Sequence, residues 1–264
     1  MFEFYKYHGA GNDFIFIDNR QATFEGDEAL IAHLCDRRRG IGADGLVLLY
    51  NAGHNYFEME YYNKDGKVGS MCGNAGRCII AFAAHLRIIE STGCFLAADG
   101  YHKGSVLSQL GNKMRVLLAM NDVPFSQIQE YEDGMFIDTG SPHFVVETKH
   151  VSKYDVLKHG RKLRKDARFP DGVNVDFVEV NALNQLFVRT YERGVEEETL
   201  SCGTGVTAAA IWHIKQTNRR KGTVNINTLG GDLTVKARTK EDSYTDILLE
   251  GDTCLVYKGE WIDK

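Results

Sequence analysis

The chain has 264 residues, 43% hydrophobic and 25% charged, with a formal net charge of −5. This is enough chain for one large or two small globular domains whose cores need neither disulfides nor a structural metal. There is no basic excess of the kind that marks a nucleic-acid binder.

The opening MFEFYKYHGAGNDF lacks the basic-then-apolar pattern of a signal peptide, and no run of about 18 apolar residues occurs, so a cytoplasmic protein is expected. The first strand signal is followed by HGAGNDFIFID from His8 and, after RRR at Arg37 to Arg39, by ADGLVLL from Ala43. The arginine run reads as solvated loop charge, as does RRK at Arg219 to Lys221. FEMEYYNKDG then alternates like a strand and ends in a polar turn at Gly66. Next comes MCGNAGRCIIAFAAHL from Met71, a Cys-Gly pair leading into an Ala-rich stretch that is apolar on every face, as in a helix buried all round. CFLAADGYHKGSVL follows with two strands and a glycine turn, and NDVPF, ending at Phe125, breaks an apolar strand.

Beyond that break the pattern repeats. TGSPHFVVE from Thr139 parallels the HGAGN segment, PDGVNVDFV parallels ADGLVLL, and QLFVRTYERG, ending at Gly194, parallels FEMEYYNKDG. SCGTGVTAAAIWHIK from Ser201 parallels the first Cys-Gly stretch, with Cys202 lying 130 residues (202 − 72) after Cys72. VNINTLGGDLTVKA completes the second copy. Two copies are too few for a solenoid and point to two pseudo-symmetric domains. The expected fold is therefore α/β, each domain a β-sheet or roll wrapped around one central helix, with the active site in the cleft between them. The expected boundaries are 1–120 and 121–252, the last strand at 253–264 returning to the first half.

The six cysteines, Cys35, Cys72, Cys78, Cys94, Cys202 and Cys254, are expected to be free thiols in a reducing compartment. Their spacing contains no CxxC pair and indicates no zinc site. Cys72 and Cys202 differ from the rest because each stands just before a helix. There the free N–H groups and the macrodipole favour thiolate and can also hold a carboxylate. A single such cysteine is more often structural; two at equivalent places in a duplicated chain are not. Inversion at an amino-acid α-carbon needs a base on one face and an acid on the other, exchanging roles in reverse, which two like groups supply. The helix N-termini would stabilise the charge that builds on the carboxylate.

HGAGNDF, NKDG, MCGNAGRC, GSPHFVV, GVNVDF and YERGVEEETLSCGTG, spread from His8 to Gly205, together resemble the diaminopimelate epimerase family. The resemblance implies interconversion of LL- and meso-diaminopimelate, in lysine and peptidoglycan precursor synthesis, by a cytoplasmic homodimer using no pyridoxal phosphate or metal. It makes Cys72 and Cys202 the catalytic thiols, and His143 and Glu192 groups that tune them. Substrate binding falls to Asn12, Asn63, Gly73, Asn74, Asn174, Glu192, Arg193, Gly203 and Thr204. Two positions depart from the family pattern: Ser141 stands where Asn is frequent, and Gly45 where many relatives carry a polar side chain. His8, Asp13, Arg77 and Asp99 are expected to serve turns and loop hydrogen bonds.

Three rivals remain: a racemase of proline, hydroxyproline or histidine, a phenazine-type isomerase relative, and a cysteine hydrolase. The first would leave the Glu192–Arg193 pair without a purpose, the second lacks paired cysteines, and the third needs only one nucleophile.

Overall fold

A computed structural model describes residues 1–53, 56–181 and 183–262. The chain divides into two compact units, Met1–Leu118 with Gly251–Lys264, and Ala119–Glu250.

The first unit contains β1 (Phe2–Gly9), β2 (Asn12–Asp18), α1 (Glu28–Cys35), β3 (Gly45–Asn51), β4 (Tyr56–Asn63), α2 (Gly73–His85), β5 (Thr92–Ala97), β6 (Gly100–Leu110) and β7 (Lys113–Ala119). The second contains β8 (Val123–Pro124), β9 (Ile128–Tyr131), β10 (Gly134–Asp138), β11 (Pro142–Glu147), α3 (Val156–Arg164), β12 (Asn174–Val180), β13 (Leu186–Glu192), β14 (Glu197–Thr199), α4 (Gly203–Gln216), β15 (Lys221–Thr228) and β16 (Gly231–Lys240). The long β17 (Ser243–Trp261) ends the described chain; Asp263 and Lys264 of the expected returning strand lie outside the described residues.

In the first unit the sheet closes on itself. β1 pairs antiparallel with β2, β2 parallel with β3, β3 antiparallel with β4, and β4 parallel with β5. β5, β6 and β7 continue antiparallel, and the later part of β17 pairs with both β7 and β1, completing the ring. Closure leaves no open edge. Along β5 and β7 buried and less buried residues alternate, as the two-residue period of a strand with one face inward requires.

The second unit repeats the same order of senses: β10–β11 antiparallel, β11–β12 parallel, β12–β13 antiparallel, β13–β15 parallel, β15–β16 antiparallel. The duplication read from segment order is thus a duplication of strand topology. Parallel pairs need a crossover. α1 and α2 make two such connections in the first unit, and α3 and α4 make the matching ones in the second.

α2 and α4 are the two hearts of the fold. Every residue from Gly73 to Ala83 is buried, and every residue from Gly203 to Ile214. α2 packs on β1, β2, β3 and β6, while α4 packs on β10 to β13, β15 and β16. Small residues such as Ala75, Ala81, Ala83, Ala208, Ala209 and Ala210 let the strands approach closely. Phe82 meets the rings of Tyr5, Tyr7 and Phe16 at centroid separations of 5.0, 5.9 and 5.4 Å.

A polar cluster lies at one end of the first unit. Asp13 accepts from Lys6 at 2.8 Å and from both terminal nitrogens of Arg37, which also reaches Asp44 at 2.7 Å. Lys6 donates as well to the Gly42 carbonyl. Reading the arginine run as solvated charge is therefore corrected for Arg37, which is half exposed yet ties two carboxylates. Asp13, expected to serve loop backbone, is an ion-pair hub. Burial alone would raise the Asp13 carboxyl, but the hydrogen bonds and charges of Arg37 and Lys6 bring it well below the ordinary carboxylate range.

A depressed folded-state value means that this stabilisation is complete above the unfolded carboxyl value, about 4, and is lost as pH falls toward the folded one. Asp13→Asn is accordingly expected to cost about 2 kcal/mol at pH 7, since it leaves Lys6 buried without its counter-charge. The deficit against wild type should narrow in acid. Urea unfolding at pH 7 and pH 3 checks this; an equal deficit at both would show that the ion pairing is not what Asp13 contributes.

Candidate active site

Each unit presents a cysteine as the residue capping its central helix. Cys72 has φ −111° and ψ 121°, Cys202 φ −122° and ψ 118°, and neither side chain caps its own helix. Each carbonyl instead accepts the first helical bond, from Gly76 and Val206 respectively. The first-turn N–H groups that follow, beginning at Gly73 and Gly203, have no partners within the helix.

Around Cys72, the sulfur lies 3.7 Å from Asn12 Oδ1, which also accepts from Asn74 Nδ2 at 3.2 Å. Asn12 donates in turn to Asp44 at 2.8 Å. Asn74 Oδ1 accepts from Arg77 Nη2 at 2.7 Å, and Arg77 Nη1 donates to the Gly73 carbonyl at 3.1 Å. Arg77 is wholly buried and its Nε has no partner. Among the described residues no carboxylate lies within ion-pairing distance of it. Burial disfavours its charged form, which the neighbouring Cys78 and Cys72 sulfurs, if ionised, would favour. Arg77 has the structural role expected of it, from the second turn of α2, where its guanidinium holds the first-turn Asn74 side chain and the Gly73 carbonyl. Of the first-half residues singled out by sequence, Asn12, Cys72, Gly73 and Asn74 come together. Asn63 does not join this hydrogen-bonded group; it ends β4, opposite Gly45, with an exposed side chain. A Cβ at Gly45 would lie 2.5 Å from the Tyr62 carbonyl and against the Tyr61 ring, so a side chain has no room there.

Around Cys202 the surroundings are tighter and of opposite charge. The sulfur is 8% exposed and lies 3.3 Å from Thr204 Oγ1. Thr204 Oγ1 also meets His143 Nε2 at 2.9 Å, and His143 Nδ1 meets Asp176 Oδ2 at 2.7 Å. Burial, then the negative charges of Glu192 and Asp176, hold the Cys202 thiol well above its ordinary value; contacts from Thr204 and the Gly205 N–H pull weakly the other way. The helix-start argument, which alone would lower a thiol, is overridden here.

Asn174, at the start of β12, donates to Ser141 Oγ and to the Pro142 carbonyl, both at 2.9 Å, and accepts from the Arg193 N–H at 2.8 Å. Ser141 is thus fixed by Asn174. Among the described residues the Arg193 guanidinium makes one hydrogen bond, to the Asp171 carbonyl at 3.3 Å. His143, Asn174, Glu192, Arg193, Cys202, Gly203 and Thr204 therefore fall in one region of the second unit. Sequence reasoning missed Asp44 and Asp176. The usable signal for Asp176 was a polar pair, Asn174 and Asp176, two residues apart and so on one face of a largely apolar strand.

Of the other four cysteines, Cys35, Cys78 and Cys254 are buried and Cys94 half-buried, all free. No group of metal-binding side chains occurs among the described residues. No helix among them is long and apolar enough to cross a membrane.

A family model described as diaminopimelate epimerase matches residues 4–116 and 135–252, covering both copies. A diaminopimelate epimerase of Flavobacterium psychrophilum is 43% identical over 96% of this chain and 98% of its own length. One of Chlorobaculum tepidum is 39% identical over 95% and 98%, and one of Aquifex aeolicus 37% over 97% and 96%. Among solved structures, a phenazine biosynthesis protein of the PhzF family from Bacillus anthracis superposes with TM-score 0.77 at 12% identity, covering 99% of both chains. A hydroxyproline epimerase from Agrobacterium vitis superposes with TM-score 0.73 at 15% identity, covering 97% of this chain and 91% of its own. At such identities these two show a shared fold.

Proposed function

The chain belongs to the diaminopimelate epimerase family, and from that premise we propose that it interconverts LL- and meso-diaminopimelate by proton transfer between Cys72 and Cys202. The observation that carries the proposal is the duplicated placement of a cysteine at the cap of each buried central helix.

In the proposed reaction a thiolate removes the α-proton from one face of the substrate carbon. The thiol of the other cysteine then delivers its proton to the opposite face. Atoms and charge balance: one Cα–H bond breaks and another forms, one sulfur gains a proton and the other loses one. In the reverse direction the two exchange roles, which is why two like groups serve better than two unlike ones. Both sulfurs must reach one α-carbon, a requirement that the proposal makes of the working enzyme.

The α-proton is weakly acidic, and removing it transfers negative charge toward the adjacent carboxylate. Backbone N–H groups at the helix starts, Gly73 with Asn74 and Gly203 with Thr204, are assigned to that carboxylate, where fixed dipoles cost no reorganisation during reaction. The chain's own donors thus supply the electron-withdrawing environment. Glu192 and His143 set the protonation of the thiols. Asn12, Asn63, Asn174 and Arg193 are assigned to the second amino-acid end of the substrate. The reading carries with it a cytoplasmic homodimer.

The test is incubation of the purified protein with LL-diaminopimelate in deuterated water after exhaustive chelation. Meso product bearing deuterium at the inverted carbon is expected, with no Schiff-base absorbance in the protein. Failure to invert diaminopimelate, or faster inversion of proline or histidine, would overturn the assignment.

A further inference from the structure

The wall behind Cys202 contains a line of four hydrogen-bonded groups that nothing in the motifs explains. Asp176 is fully buried, as is His143. Asp176 Oδ1 accepts from Thr190 Oγ1 at 2.7 Å, leaving Oδ2 to receive His143 Nδ1 at 2.7 Å. A carboxylate only accepts, so the ring must carry its proton on Nδ1. In the neutral ring Nε2 then presents a lone pair to Thr204 Oγ1 at 2.9 Å. With its own hydrogen directed at the ring, the Thr204 oxygen offers a lone pair to the Cys202 thiol at 3.3 Å. The donors and acceptors alternate correctly from one end to the other.

The packing leaves this line little freedom. A Cβ at Gly205 would stand 2.4 Å from Asp176 Oδ1 and 3.2 Å from His143 Cε1, so the first turn of α4 rests directly on the Asp–His pair. Thr139 Oγ1 donates to the Thr204 carbonyl at 3.1 Å and holds that residue from the other side. In the first half, by the strand alignment, the place of Asp176 falls among Leu46 and Val47, both wholly buried and apolar.

We propose that Asp176 is a positioning residue for Cys202, fixing the His143 tautomer so that Thr204 and His143 form a path by which the buried thiol releases and regains its proton. The inference rests on the reading of Cys202 as an acid–base group. In the outward step the Sγ–H bond breaks and its proton passes to Thr204 Oγ1. The hydroxyl's own proton passes at the same time to His143 Nε2. The result is a thiolate, an unchanged threonine and an imidazolium facing the Asp176 carboxylate, and the return reverses each transfer. A cysteine this buried has little direct access to solvent water, so after each turnover the path lets it change protonation without opening the site. Holding an imidazole in the correct tautomer is a large effect where it has been isolated, up to about 10⁴-fold in rate.

The experiment compares Thr204→Ser, Thr204→Val and Asp176→Asn with wild type in diaminopimelate inversion, alongside ¹⁵N NMR of His143 in the wild type. The expected pattern is a protonated Nδ1 and unprotonated Nε2 in wild-type His143. Thr204→Ser keeps the hydroxyl and should turn over at least about tenfold faster than Thr204→Val, with KM alike in the two. Asp176→Asn should fall in kcat likewise. A proton on Nε2 in the wild type overturns the proposal without recourse to any variant. So does a Thr204→Val enzyme as fast as Thr204→Ser, or an Asp176→Asn enzyme with full kcat. Full activity in Cys202→Ala would instead overturn the acid–base reading itself, so the two failures are distinguishable.

Discussion

Cys72→Ala and Cys202→Ala are each expected to lower kcat for inversion of LL-diaminopimelate by about 10³-fold or more. A positioned acid or base contributes roughly 10²–10⁴-fold to proton transfer. Here the loss should lie toward the upper end, because the surviving thiol cannot serve the opposite face of the carbon. Serine is not expected to rescue either position. Its hydroxyl is a far weaker acid than a thiol, whose ordinary value is about 8.5, so it neither ionises to a base nor returns a proton readily. Both variants should fold. Cys72 is half-buried and its sulfur makes a long contact to Asn12, and Cys202 makes a weak one to Thr204, so removing either thiol leaves the packing of its helix in place. Thermal unfolding checks this alongside turnover. A single variant that still exchanges the α-proton on one face without inversion would be revealed by deuterium incorporation into unconverted substrate. Full inversion by either single variant would end the two-thiol scheme.

The two sulfurs sit in equivalent frames but in opposite electrostatic surroundings. Asn74 and Thr204 occupy matching places in the first turns of α2 and α4, yet one is held by the buried cation Arg77 and the other by the buried pair His143–Asp176. At the place where the first half carries Arg77, the second carries Thr207, whose hydroxyl donates to the Gly203 carbonyl just as Arg77 donates to Gly73. Duplication thus kept the backbone geometry of the helix starts and changed the charge behind them. Behind Cys202, burial and then the negative charges of Glu192 and Asp176 hold the thiol well above its ordinary value.

The central helix of each unit and the duplicated order of strands were legible because they rest on local patterns. The apolar stretches after the two Cys-Gly pairs were expected as helices, and these run Gly73–His85 and Gly203–Gln216, whereas α1 and α3 were not read from the sequence. What was not legible depends on contacts between residues far apart in the chain. Arg37 looks like one of three loop arginines until its guanidinium is seen to join Asp13 and Asp44, and nothing in its neighbours Arg38 and Arg39 distinguishes it. Asp176 stands in a strand that otherwise reads as core, and its partners His143, Thr190 and the first turn of α4 come from three other elements. Asn63 shows the converse. Its motif singles it out, but its exposed side chain takes no part in the hydrogen bonds around Cys72.

Arg193→Ala is expected to reduce kcat/KM for LL-diaminopimelate by about 10- to 150-fold, and to erase most of the enzyme's preference over substrates with one amino-acid end. Its backbone N–H is held by Asn174, so the start of the side chain is fixed, while among the described residues the guanidinium spends one donor, on the Asp171 carbonyl. A guanidinium has five N–H donors in a planar fork that matches a carboxylate through two parallel bonds. The proposed use is the distal carboxylate of diaminopimelate, with Glu192 near the ammonium end. Hydrogen bonds to charged groups are worth about 1.5–3 kcal/mol each, and 1.4 kcal/mol is a factor of ten. Arg193→Lys should recover little, because a point charge cannot reproduce the fork. The measurement compares LL-diaminopimelate, 2-aminopimelate and lysine in wild type and both variants. 2-Aminopimelate keeps the distal carboxylate and lacks the ammonium, and lysine the reverse, so Arg193→Ala should penalise the first far more than the second. If wild type inverts lysine as well as diaminopimelate, or the variant keeps its selectivity, the distal carboxylate is read elsewhere and Arg193 is not its partner, whatever the fate of the two thiols.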